Sequence, residues 1–215
     1  MEEVLLERSI RRGSIHRVSQ QPVGVSFMIL PVDPEHPHER HLQQIAEVLQ
    51  RDGVIVYPTD TAYGLACSIE SPKGIHRLEA IKNGAKRRGK KRFTLVAPSL
   101  GVASRFAEVE DRIFPLIRDH VPGPYTFILN AHKLTPRKVQ GHRKTIGVRI
   151  PDHPFVAALL SELGVPLVSI SAPHPEGTES DPLTIAPLVG RGVDLIVDAG
   201  VLPLVVSSVI DLTGP

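Results

Sequence analysis

The chain has 215 residues, of which 41% are hydrophobic and 22% charged, a balance that excludes wholesale disorder and suits one compact α/β unit. Its single cysteine, Cys67, excludes an intrachain disulfide framework and a thiolate zinc cluster, and no apolar run approaches the roughly 18 residues of a membrane span. The formal net charge of +2 conceals two basic windows, because residues 82–92 and 137–149 together hold 12 of the 25 Lys and Arg. Such a concentration attracts polyanions such as nucleic acid and nucleotides. With no apolar block of a signal peptide at its start, the sequence reads as a soluble, cytoplasmic protein.

Residues 1–26 alternate Arg8, Arg11, Arg12 and Arg17 with Ser, Gln and Gly, which predicts a flexible N-terminal extension ahead of a domain spanning 27–215. Phe27–Leu30 reads as a short strand ended by Pro31. Glu39–Arg51 carries Leu42, Ile45, Ala46 and Leu49 at helical spacing, with Gly53 as its stop. Val54–Tyr57 and Leu65–Ile69 are strands flanking a polar turn. Ser71-Pro72 opens a helix that places Ile75, Leu78 and Ile81 on one face and ends near Gly84. Beyond the basic window come a strand at Phe93–Ala97, a helix over Glu108–His120, and strands at Tyr125–Leu129 and Thr145–Ile150. A helix over Pro154–Leu163 and a strand at Leu167–Ile170 follow, then a helix opened by Asp181-Pro182 and strands at Leu195–Val197 and Ser208–Leu212. The interleaving gives a three-layer α/β fold with a twisted mixed sheet.

The segment Gly84–Lys91 has the spacing of a phosphate-binding P-loop. Lys91 stands where that motif needs Ser or Thr, however, and the preceding pattern is helical rather than a strand. His36, His38 and His41 beside Asp33 straddle two prolines, a spacing that favours surface histidines over a metal site. No protein metal ligands are expected. Cys67 lies in an apolar alternation without a neighbouring base and reads as a packing thiol.

Two segments offer chemistry. Tyr57–Gly64 follows a buried strand, where α/β folds commonly place ligands. Thr59 and Thr61 there could donate to a carboxylate or phosphate and Asp60 could pair an ammonium, or all three could simply close the turn. Ser169-Ile170-Ser171-Ala172-Pro173 follows another apolar strand and sets two hydroxyls two residues apart, on one side if the strand continues. Capping is the alternative for these serines.

Tyr57–Gly64, Pro122–Phe127, Gly147–Pro154 and Pro166–Ala172, taken in that order, resemble the YrdC/YciO family from about residue 27 onward. The resemblance implies a twisted sheet with a basic concave face that binds tRNA or double-stranded RNA and nucleotides. It also implies synthesis of threonylcarbamoyl-AMP and pyrophosphate from L-threonine, bicarbonate and ATP, for threonylcarbamoyl-adenosine modification of tRNA. ATP would arrive with Mg2+ as substrate, no tightly bound cofactor is expected, and the protein would be a monomer or weak homodimer away from membranes.

By position, Thr59 and Thr61 would hold threonine and the carboxylated intermediate, with Tyr57, Asp60 and Arg149 lining the substrate site. Lys82 would meet the phosphates as a catalytic group beside Thr59 and Thr61, and Ser169 and Ser171 would meet the nucleotide. Lys86, Arg87, Arg88, Lys90, Lys91, Arg92, Arg143 and Lys144 would contact RNA. Two positions depart from the family pattern: Gly84 replaces the arginine of its Lys-x-Arg element, and Pro173 the asparagine after Ser-Ala. Residues 143–147 and 178–182 are similar to the YciO branch. An RNA-binding module with little synthase activity, or a protein that hydrolyses or handles the adenylate, is the alternative.

Overall fold

The computed structural model describes residues 27–84, 93–175 and 179–214. The predicted extension at 1–26 and the basic residues 86–92 lie outside them. The chain runs β1 (Met28–Pro31), α1 (Glu39–Gln50), β2 (Ile55–Tyr57), β3 (Gly64–Ser68), α2 (Pro72–Gly84), β4 (Thr94–Val96), α3 (Leu100–Ala103) and α4 (Phe114–Arg118). It continues through β5 (Tyr125–Asn130), β6 (Thr145–Arg149), α5 (Pro154–Leu163), β7 (Leu167–Ser171), β8 (Glu179–Ser180), α6 (Pro182–Val189), β9 (Leu195–Asp198), β10 (Leu202–Pro203) and β11 (Ser208–Asp211). Nine strands form one mixed sheet in the order β1-β9-β2-β3-β7-β4-β6-β5-β11, and β8 pairs with β10 beside it.

Strand residues alternate between two faces, and the faces are covered unequally. Val56, Leu65, Leu95, Phe127, Val148 and Val168 point to a face packed by Ile75 and Leu78 of α2, Ala103 of α3, Ile117 of α4, and Ile185 and Val189 of α6. The alternate residues Leu30, Ile55, Ala66 and Leu195 pack against Leu42, Ile45 and Leu49 of α1 and Phe155, Leu159 and Leu160 of α5. That second apolar cluster takes nothing from β5, β6 or β11. Four helices therefore serve the first face across the sheet, while two helices cover only one side of the second.

Most predicted elements stand within a residue or two of their expected bounds, and α5 coincides with its prediction. The helix predicted over Glu108–His120 is shorter, because the chain there is drawn into extended pairing. Ala107 bridges Ala131 and the Glu108 amide donates to the Asn130 carbonyl (2.8 Å), so helix begins only at Phe114 with Pro115 in its first turn. The four-residue α3 is unpredicted; Ser99 caps it by accepting from the Val102 amide.

The histidine cluster has a local explanation. His38 is the N-cap of α1, its Nδ1 accepting from the Arg40 amide, while Asp33 accepts from the amides of Glu35 and His36. Near the other end of the same strands, Arg77 of α2 grips Asp194 through both guanidinium nitrogens (2.7 and 3.0 Å), and Asp194 accepts the Val54 amide (2.8 Å). This links α2 to the starts of β2 and β9. Among the described residues no helix is long and apolar enough to cross a membrane.

Cys67 is fully buried on the four-helix face, and burial pushes its thiol up to about 12. Only the thiolate is nucleophilic. In the native protein at pH 8, Cys67 should react with a disulfide reagent more than about 100-fold more slowly than in the urea-unfolded chain. Equal rates in the two states would contradict its placement.

Candidate functional site

Where α1 and α5 leave the second face bare, the sheet opens into a cavity of about 480 Å³. This is within the usual range for a small-molecule site. Its floor comes from that one face: Tyr57 of β2, Thr94 and Val96 of β4, Thr126 and Ile128 of β5, and Arg149 of β6. Ser169 and Ser171 of β7 join them, two residues apart on a continuing strand as their spacing predicts. The turn after β2 supplies Thr59 and Thr61 on one side, and Leu204–Ser207 before β11 closes another.

Gly64 sits where a Cβ would come within 2.8 Å of the Tyr57 ring and 3.2 Å of Ser169 Oγ. Its bare backbone lets the Tyr57 hydroxyl cross β3 and donate to Ser169 Oγ (2.9 Å). Burial raises the Tyr57 phenol well above its usual range, so it remains protonated and serves as a donor.

The threonine turn is satisfied internally. Thr59 Oγ1 donates to the Ala62 carbonyl (2.7 Å) and accepts from the Thr61 and Ala62 amides (3.2 and 3.3 Å). Thr61 Oγ1 lies 3.1 Å from Thr59 Oγ1 and accepts from Arg149 Nη2 (2.8 Å). Thr59 thus spends its proton and both lone pairs closing the turn, while the Thr61 hydroxyl faces Arg149. The same guanidinium nitrogen donates to Asp60 Oδ1 (2.7 Å), so Asp60 is paired with an arginine of this chain. Both side chains of this pair are 11% exposed. Arg149 Nε is buried and has no partner among the described residues.

The sequence profile of the Sua5/YciO/YrdC family, described as telomere recombination, matches residues 47–215. The chain belongs to this family. The YciO protein of Escherichia coli (strain K12) is 40% identical over 185 residues, which span 85% of this chain and 88% of that one. The crystal structure of E. coli YciO superposes with a TM-score of 0.76 at 36% identity, covering 87% of this chain and 91% of that chain. A threonylcarbamoyl-AMP synthase of Vibrio vulnificus (strain YJ016) is 37% identical over 136 residues, 61% of this chain and 71% of the synthase. The fold is also that of P. abyssi Sua5, solved with L-threonine, at a TM-score of 0.75 and 24% identity over 86% of this chain and 54% of that one.

In this member of the Sua5/YciO/YrdC family, Tyr57, Thr59, Thr61, Arg149, Ser169 and Ser171 gather around one hollow, with Asp60 held against Arg149. Lys82 is not among the cavity-lining residues; its ammonium rests 4.0 Å over the Phe93 ring, one residue before Thr94. Arg143 and Lys144 are exposed in the loop joining β5 to β6 and do not line the cavity either. Among the described lining residues the only Lys or Arg is Arg149, already paired, so the expected basic concave face is not built from them.

Residues unremarked in the sequence complete the site. Thr94, Thr126 and Ser207 line it; Thr94 stands in register with Ser169 on the neighbouring strand, whereas Ser207 precedes β11 and has no such signal. Tyr63 anchors the roof: its hydroxyl donates to the Gly200 carbonyl and accepts the Ala199 amide, both at 2.8 Å, and burial raises its phenol above the ordinary range.

Breaking a buried ion pair strands the remaining charge, so Asp60→Ala should cost about 3 kcal/mol in urea unfolding. The double variant Asp60→Ala/Arg149→Met should cost less than Asp60→Ala alone, since no unpaired guanidinium remains. Additive losses would show that the pair is not coupled.

Proposed function

We propose that the cavity binds L-threonine and ATP and carries out threonylcarbamoyl-adenylate chemistry that feeds tRNA modification. The reading rests on one observation: hydroxyl-bearing segments far apart in sequence, at Thr59–Thr61 and Ser169–Ser171, meet the Arg149–Asp60 pair in a single hollow. The similarity to a threonylcarbamoyl-AMP synthase supports it, as does the shared fold of a Sua5 protein solved with L-threonine.

In the proposed reaction the threonine amine attacks the bicarbonate carbon, giving a carbamate with loss of water. A carbamate oxygen then attacks the α-phosphate of ATP and pyrophosphate leaves. Both steps bring anions together, so positioning and charge matter more than a strong base. Tyr57, Thr59 and Thr61 shape the amino-acid end with Asp60 and Arg149, and Ser171 faces the nucleotide. Lys82, next to the strand that carries Thr94, reaches the phosphates by leaving the Phe93 ring.

A second reading draws on the loop between β5 and β6. Lys133, Arg137, Lys138, Arg143 and Lys144 are exposed there, with no Asp or Glu from 131 to 144. This surface suits tRNA or double-stranded RNA in a protein of the YciO type with little synthase activity. Gly84 and Pro173, in place of the family's arginine and asparagine, favour that reading.

Purified protein given L-threonine, bicarbonate and ATP should release pyrophosphate in a threonine-dependent manner, and release no greater than without threonine would reject the synthase. Lys82→Ala should remove roughly 2–4 kcal/mol of transition-state stabilisation, whereas unchanged turnover would exclude Lys82 from the site. For the second reading, replacing Arg143 and Lys144 by Gln should flatten the salt dependence of RNA binding by about one slope unit per lost phosphate contact. An unchanged slope would exclude that loop from the RNA contact.

A further inference from the structure

Helix α2 is held over the sheet by two kinds of contact. Ile75 and Leu78 press into the four-helix core and set its depth, but apolar contact has no preferred direction. Direction comes from the second half of the helix. Arg77 meets Asp194 with both terminal nitrogens (2.7 and 3.0 Å), and its Nη2 also donates to the Gly192 carbonyl (3.2 Å). A planar guanidinium against a carboxylate is a directional contact. Asp194 is itself fixed, because its Oδ2 accepts the Val54 amide and its own amide donates to the Val54 carbonyl, both at 2.8 Å. The clamp therefore ties α2 to the residue that opens β2.

One turn after Arg77, on the same face, stands Ile81. A Cβ on Gly192 would come within 2.7 Å of both Ile81 Cγ1 and Cδ1, so Ile81 rests on the bare backbone of that glycine. The stretch 192–194 thus receives α2 at two points a turn apart, one an ion pair and one a seat for an apolar side chain. Lys82 follows Ile81 directly. It is half-buried, and its ammonium lies 4.0 Å over the Phe93 ring, next to Thr94 of the cavity floor. From Arg77 to Lys82 the helix rises only about 7.5 Å, too short a span for its end to turn independently of the clamp.

We propose that Arg77 and Gly192 are positioning residues: they fix the last turn of α2 so that Lys82 stands beside the Thr94 edge of the cavity. Neither of them lines the cavity. The proposal rests on the reading in which Lys82 meets the phosphates of ATP, and it assigns the aim of that lysine to residues on the far side of the sheet. A small displacement of the last turn would carry the ammonium away from the site. Binding that depends on a placed charge falls steeply with misplacement.

Two measurements on the full chain test this. One is calorimetric titration with MgATP and, separately, with L-threonine; the other is the rate at which an amine-acetylating reagent modifies Lys82, read by mass spectrometry. Arg77→Met and Gly192→Ala should each weaken MgATP binding about three- to tenfold and leave L-threonine within about twofold. In both variants Lys82 should acetylate about two- to fivefold faster as it leaves the Phe93 ring, while exposed Lys133 keeps its rate. The double variant Gly192→Ala/Ile81→Ala removes the atoms that the new methyl meets, and should bring MgATP affinity back to within about twofold of wild type. Unchanged Lys82 acetylation in the single variants would overturn the proposal, as would equal losses for MgATP and L-threonine. Should melting curves show Arg77→Met unfolded, Gly192→Ala and its double variant decide the matter alone. Wild-type protein that binds no MgATP would overturn the nucleotide reading, whereas the acetylation rates would still decide whether Arg77 and Gly192 hold Lys82.

Discussion

Two helices cannot cover one face of a nine-stranded sheet, and the site follows from that shortfall. Helices α1 and α5 pack over β1, β9, β2 and β3 and reach as far as Val96 and Leu167, while β5 and β6 receive nothing from them. A bare apolar sheet face would be a liability in water. Here the uncovered register carries Thr94, Thr126, Gly147, Arg149 and Ser169 instead, residues that can face solvent or a ligand. The four-helix face beneath them is apolar and buried in every strand of this region, so the floor is held from behind by a packed core.

Across that floor one guanidinium does most of the tying. Arg149 leaves the end of β6 and binds both Asp60 and Thr61, fixing the turn after β2 against a strand separated from it by β3, β7 and β4. Segment 204–207 is attached to the same framework, because the Val205 amide donates to the Thr61 carbonyl (3.0 Å) and Ser207 meets Thr126. Floor, turn and roof thus share partners. Val206, 84% exposed at the lip, is an apolar part of this roof that the described residues leave uncovered.

The alternating and helical spacings make the layers legible in the sequence, since burial in this fold follows local periodicity closely. Leu42, Ile45, Ala46 and Leu49 on α1 are buried as their spacing predicts. The failures have a different origin. Glu108–His120 has a helical pattern, but a bridge to Ala131 outcompetes it, and no local signal announces a partner 24 residues away. The hydroxyls of Thr59 and Thr61 stand out in the sequence, but their partners do not: the Thr59 proton goes to the Ala62 carbonyl, and Thr61 accepts from Arg149, which lies 88 residues beyond it. Lys82 illustrates the same limit, because its place in a basic run says nothing of the Phe93 ring beneath it.

The central claim is that the turn at 57–64, the strand end at 169–172 and the segment at 204–209 surround one ligand. Amide hydrogen exchange, with and without saturating L-threonine and ATP, measures this directly. The account predicts that all three segments slow together while the amides of α1 keep their rates. Slowing confined to a single segment, or to the β5–β6 loop alone, would contradict it.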